Sequence, residues 1–194
     1  DTLVLSLNPG LTVTDLAFDG VVADFRVAGK LLLIPGTIAP ADSVMVTVSY
    51  SGDIDVAAFD LTKSESRLQK SRHPFYKGDM TAWIDRRSIY LPPRSGWYPT
   101  MGPDDRDREP DYTTADLKVN VPKSLSVATQ GVVADSSASD GRLATTWRVD
   151  TAVPVLSLNA GVYDVFEATV HGVDVAMYIH PHHKRQVTFF DGAE

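Results

Sequence analysis

The sequence contains no cysteine. That excludes disulfides, iron–sulfur clusters, thiolate zinc and a cysteine nucleophile, and it leaves the cellular compartment open. Also missing are H-E-x-x-H, G-x-S-x-G, a Walker loop and a dinucleotide fingerprint. Zinc-helix hydrolysis, serine-nucleophile chemistry and phosphate binding therefore lack their sequence anchors. No apolar run approaches the length of a membrane-spanning helix, and the opening residues carry neither a basic n-region nor an apolar h-region. No membrane segment is expected within this chain. Positive charge is scarce as well: 18 Lys and Arg stand against 25 Asp and Glu, for a net charge of -7. The basic residues are scattered, so a nucleic-acid groove has no electrostatic basis.

What is present suits an ordinary globular protein, with 43% hydrophobic and 22% charged residues in a chain of 194. A chain this long can bury roughly 70% of its unfolded surface in a single core. Because Asp1-Thr2-Leu3-Val4-Leu5 has the pattern of mid-strand, the sequence is expected to be a piece of a larger protein.

Short apolar stretches separated by turn residues dominate the chain. LTVTDLAF, VVADFRVA and LLLI, between Leu11 and Ile34, are divided by Asp19-Gly20 and Gly29-Lys30 and read as a meander. From Ser43 to Tyr50 the pattern alternates, with Val44, Val46, Val48 and Tyr50 on one face. Between Asp53 and Arg72 alternation stops, which permits a short helix or a surface loop, and His73 to Gly78 forms a turn. Ala82 to Ile84 and Ser88 to Leu91 read as brief strands around the turn at Asp85-Arg86-Arg87. Thr113 to Val121 alternates again, placing Ala115, Leu117, Val119 and Val121 toward a core. Ser126 to Ala134 and Arg142 to Val149 are expected to pair across the segment 136–141, with Trp147 facing the same way as Leu143 and Val149. Val153 to Val165, Phe166 to Val170 and Val173 to Ile179 complete the strands, with His171-Gly172 as a turn. Pro181 suits the first turn of a helix. The expectation is an all-β fold, an antiparallel β-sandwich or saddle of packed sheets with little helix, over residues 1–181. Residues 182–194 are expected to begin a helix or linker toward a downstream domain.

The stretch from Arg94 to Val121 organises the rest. Trp97-Tyr98-Pro99 and Glu109-Pro110-Asp111-Tyr112 bracket a charged run, and prolines at 99, 103 and 110 exclude a continuous helix or central strand. It reads as a fixed irregular loop anchored by aromatics.

These residues carry a resemblance. Arg94, Trp97, Tyr98, Pro99, Glu109, Pro110 and Val121-Pro122-Lys123-Ser124-Leu125 are similar to the N-terminal domain of the zinc aminopeptidases related to aminopeptidase N. The segments TQGVV at 129–133, 145–167 and GVDVAMYIHP at 172–181 continue the likeness in the same order. The resemblance implies a non-catalytic domain that caps one side of a substrate cleft through the segment 89–111. It also implies a downstream catalytic-type domain as partner, a peptide substrate at the interdomain cleft, and zinc held only by that other domain, with no cofactor in this chain. The residues implied at the cleft or interdomain face are Tyr90, Arg94, Trp97 and Tyr98. In the resembled proteins a Gln or Glu shortly before the Arg holds the substrate amine. Here Ile89 or Tyr90 occupies that place, and neither offers a carboxamide or carboxylate.

The histidines and the acidic run have plainer roles than metal binding. His180, His182 and His183 lack a carboxylate at helical spacing and read as a solvated helix start. His73 and His171 fall in turns. Asp104, Asp105, Asp107, Glu109 and Asp111 lack the tight-turn glycine of a calcium loop and are interleaved with Arg106 and Arg108, so they read as a solvated loop. The alternative to the aminopeptidase-like reading is a free-standing β-sandwich that binds carbohydrate or protein on Trp83, Tyr90, Trp97 and Tyr98.

Overall fold

A computed structural model describes residues 2–36, 43–55, 82–92, 95–102 and 112–183. Arg94, the turn at His73, the acidic run at 104–111, most of the segment 53–72 and the helix expected after His183 lie outside the described residues.

Among the described residues sixteen strands follow in order. They are β1 (Thr2–Ser6), β2 (Leu11–Phe18), β3 (Val21–Val22), β4 (Arg26–Ala28), β5 (Leu31–Pro35), β6 (Val46–Gly52), β7 (Trp83–Ile84) and β8 (Ser88–Leu91). Then come β9 (Thr100–Met101), β10 (Thr113–Pro122), β11 (Ser126–Thr129), β12 (Val132–Ser139), β13 (Arg142–Val153), β14 (Leu158–Gly161), β15 (Asp164–Val170) and β16 (Val173–Ile179). The protein is all-β, built of several antiparallel sheets. It divides into two compact units, the first comprising residues 1–84 and 91–111 and the second residues 85–90 and 112–194.

In the first unit one sheet runs β4-β5-β1-β9 and another β3-β2-β6. Their facing sides form one core: Leu5, Leu32 and Ile34 from the first sheet meet Leu16 from the second, with Val13, Phe18, Val46 and Val48 packed around them. Period-two alternation alone cannot put both Val13 and Leu16 inside, because they are three residues apart. A bulge between Val13 and Asp15 supplies the extra residue, so that Val13 opposes Tyr50 and Leu16 opposes Val48. The stretch from Leu11 to Ile34 is not the expected meander, because its strands belong to two sheets. VVADFRVA breaks at Ala23-Asp24-Phe25 and crosses from one sheet to the other, because burying Leu16 and Leu32 against each other needs two layers.

In the second unit β10-β13-β12 form one sheet, β11, β14 and β8 run in that order in another, and β15 pairs with β16. Alternation in β10 is as expected: Ala115, Leu117 and Val119 are half-buried and Val121 is buried, while Asp116, Lys118 and Asn120 are exposed. Leu117 sits opposite Trp147. Trp147 is buried beside Val149 and donates its indole N–H to Thr145 Oγ1 at 3.2 Å.

Three strand readings differ from expectation. Ser126 to Ala134 is not one strand, for β11 pairs with β14 and only β12 pairs with β13. The break is at Gly131, where φ is +90° and a Cβ would collide with the Arg148 carbonyl. Residues 136–139 are strand rather than turn, since Asp140 (φ 50°) and Gly141 (φ 73°) make a two-residue reversal by themselves. Val153 to Val165 is likewise interrupted, with strand only at Leu158–Gly161 between the ends of β13 and β15. Beyond Ile179 a 3₁₀ turn at 181–183 follows.

Candidate functional site

The aromatic segment at the centre of the sequence argument is held from inside the first unit. Its entry is fixed by Asn8, which is 1% exposed. The Asn8 backbone N–H donates to Gly96 O at 2.9 Å, and its Nδ2 donates to Ser95 O at 2.8 Å and Asp55 O at 3.0 Å. Its Oδ1 accepts from Gly10 N at 2.9 Å and Asp55 N at 2.8 Å. One side-chain amide thus ties three chain segments together, with each of its polar atoms making two bonds. Further along, Tyr50 Oη donates to Trp97 O at 3.0 Å. Burial pushes the Tyr50 phenol up from its ordinary range, which keeps it a neutral donor. At the exit, Thr100 and Met101 pair with Ser6 and Leu5 of β1, and Ser6 Oγ donates to Gly102 O at 2.6 Å.

Trp97 and Tyr98 meet edge to face, with ring centroids 4.8 Å apart and planes at 70°. Both are half-buried. The Trp97 indole nitrogen is shielded from solvent without a hydrogen-bond partner. Two rings at 70° do not make the flat platform on which a sugar stacks. Beside them opens an apolar groove of about 500 Å³, lined by Leu3, Leu5, Val46, Tyr50, Pro99 and Met101 among others. That volume is within the small-molecule range. Apart from the Tyr50 hydroxyl its described lining is apolar, with no carboxylate or imidazole, which suits it to an apolar group.

The sequence-nominated residues are thus partly brought together. Trp97 and Tyr98 touch. Tyr90 is half-buried on β8 and belongs to the second unit, as does Ile89. Arg94 and the Trp83 side chain lie outside what the structure describes. Asn8 was not singled out by the sequence reading, although Asn8-Pro9-Gly10 is a turn triplet in which an Asn side chain commonly accepts from the N–H two residues on.

The histidines at 180, 182 and 183 lie close together. His180 and His182 stack with ring centroids 5.0 Å apart and planes at 22°, so their nitrogens do not converge on a point. His180 Nδ1 accepts from the His182 backbone N–H at 3.3 Å. Among the described residues no set of three His, Asp or Glu side chains can hold a metal ion.

No family model matches the sequence, and neither does any curated protein. The fold is nevertheless shared with solved structures. The all-β arrangement is of the kind found within M1 zinc metallopeptidases. One from Deinococcus radiodurans superposes with a TM-score of 0.64 at 20% identity, covering 86% of this chain and 36% of that one. Legionella pneumophila aminopeptidase A, solved with aspartic acid, gives 0.63 at 15% identity over 98% of this chain and 21% of that one. Yeast LTA4 hydrolase, solved with bestatin, gives 0.52 at 11% identity over 97% and 27%. At these identities the likeness is one of fold. The chain spans between about a fifth and two-fifths of the length of the proteins it resembles.

Proposed function

We propose that this chain is the non-catalytic N-terminal β domain of a larger aminopeptidase-like protein of the M1 type. In that protein it caps the substrate cleft and docks on a catalytic-type domain that carries the zinc. The observation that supports this most directly is the coverage: 86% to 98% of this chain is matched by only 21% to 39% of each neighbour. The sequence supports it independently through the ordered motifs from Arg94 to Pro181. The groove adds that the described surface beside the aromatic segment offers shape and apolar contact. Tyr90, Arg94, Trp97 and Tyr98 are the residues proposed to face the cleft or the partner domain.

The test has two parts. The isolated chain is expected to hydrolyse no aminoacyl arylamide and to hold no stoichiometric zinc by plasma emission analysis of untagged protein; turnover or zinc that survives a second purification overturns the reading. The coding sequence past Glu194 is expected to contain H-E-x-x-H with a downstream Glu. An unrelated module or a stop codon there favours an independent binding module instead. In the full-length protein Trp97→Ala is expected to raise KM for peptides more than it lowers kcat, as loss of a binding contact does.

A further inference from the structure

The chain has four methionines, at positions 45, 80, 101 and 177, and Met80 lies outside the described residues. The other three differ in what their side chains cover. Met45 is 69% exposed and falls between Val44 and Val46, which line the groove, so alternation turns it to the opposite side. Met177 is half-buried on β16. Among the described methionines, only Met101 is both exposed and on the core side of its sheet.

The register shows this. Directly opposed residues of antiparallel strands share a face. Leu32 of β5 opposes Leu5 of β1, and Leu5 in turn opposes Met101 of β9, so the three side chains make one row across the sheet. Leu32 and Leu5 are 1% and 7% exposed and belong to the core that Leu16 closes from the other sheet. Met101 ends the row at 49%. β9 is the last strand of its sheet, and the groove lined by Leu3, Leu5, Val46, Val48 and Pro99 opens beside it. The Met101 thioether therefore has water on one side and Leu5 on the other. An unbranched, polarizable, apolar side chain suits such an irregular rim, and its sulfur stands within reach of a dissolved oxidant.

We propose that Met101 is an oxidation site whose modification uncovers the rim of the first unit's core. The oxidant is a hydroperoxide, hydrogen peroxide in the simplest case. The sulfur lone pair attacks one peroxide oxygen, an S–O bond forms as the O–O bond breaks, and the sulfur gives up two electrons. The departing hydroxide takes the proton from the new S–OH group and leaves as water. The product is a sulfoxide, a strong hydrogen-bond acceptor where an apolar thioether stood, and reductases return it to the thioether. Its oxygen either presses on Leu5 unpaired or turns into water and draws the side chain off Leu5, and both outcomes weaken the end of the row. Oxidation of Met45 has no such consequence, because that side chain covers no part of the groove.

The experiment treats this chain with hydrogen peroxide, locates each added oxygen by peptide mass spectrometry and follows with thermal melts. Met101 and Met45 are expected to be oxidised ahead of Met177. The oxidised chain is expected to melt about 2–4 °C lower, the shift that losing one such contact gives in a chain of this length. Met45→Leu should keep that loss and Met101→Leu should abolish it. Met101→Gln, which sets a polar group there without any oxidant, is expected to lower the midpoint by a similar amount. The proposal is overturned if Met101 reacts no faster than Met177, if the midpoint holds once Met101 is oxidised, or if Met101→Leu loses as much on oxidation as wild type does.

Discussion

Asn8→Asp changes one atom type in a fully enclosed site and tests whether the aromatic segment is held by that amide. In the protein as it stands, Nδ2 donates to the Ser95 and Asp55 carbonyls at 2.8 and 3.0 Å, and the site is closed to water. Replacing the NH₂ by oxygen leaves both carbonyls without a donor and turns an acceptor toward them. Each buried group left unpaired costs about 1–3 kcal/mol, so two cost about 2–6 kcal/mol. The introduced carboxyl also has its charged form disfavoured by burial, which raises its folded-state pKa above the unfolded value near 3.9. The sign follows: the variant is least destabilised below that unfolded value, where the carboxyl is protonated in both states and can donate one hydrogen bond. It loses further stability as pH rises through the raised folded value. Urea unfolding of wild type and variant, followed by far-ultraviolet circular dichroism at pH 4.5 and pH 8, measures both effects. A variant within about 1 kcal/mol of wild type at both pH values would refute the reasoning, and so would a larger deficit at the lower pH.

Leu117→Asp is expected to cost several kcal/mol, because it sets a carboxylate opposite the buried Trp147, whereas Lys118→Asp on the exposed face should stay within about half a kcal/mol. Equal effects in urea melts would mean the register of β10 is wrong. Tyr50→Phe removes the donor to Trp97 O and is expected to cost about 1 kcal/mol at neutral pH. Because the folded-state pKa of Tyr50 is raised above its usual 10.0, its contribution is complete below pH 10 and is lost as pH rises past that value. The Phe variant should therefore lose less stability than wild type between pH 9 and 11, and thermal melts across that range are the check.

Much of the fold was legible because one face of each strand is buried, and burial writes itself as alternation. Ala115 to Val121, Val44 to Tyr50 and Leu143 to Val149 all fall on the faces their spacing assigns. The reversals at Asp19-Gly20, Asp140-Gly141 and His171-Gly172 were legible too, since each places positive φ at two successive residues. Illegible were the points where a strand changes partner. Ala23-Asp24-Phe25 has only a lone Asp, with no Gly or Pro, to mark its crossing between sheets, and Gly131 shows its purpose only once Arg148 is beside it. A bulge such as that at Val13-Thr14-Asp15 is a property of two strands jointly, so one strand's pattern does not reveal it. At the site, aromatic residues were visible by type. The amide that anchors them was not, because its partners Asp55, Ser95 and Gly96 are at least 47 residues away in sequence.

The internal anchoring of Trp97 and Tyr98 bears on where a partner can attach. A loop that awaits its neighbour for support should leave its aromatics free and its backbone unpaired. Here Trp97 O accepts from Tyr50, Ser95 O accepts from Asn8, and Gly102 N donates to Val4 O at 2.8 Å. In residues 95–102 these backbone groups are anchored within their own unit, although the Trp97 indole N–H is left without an acceptor. Rigid surfaces shape a cleft with little entropy to lose. On the proposed reading the anchored aromatic segment is suited to lining a cleft, so Trp97→Ala in the full-length protein should raise KM while the isolated chain stays folded, and a variant that lost its fold in a urea melt would refute that separation.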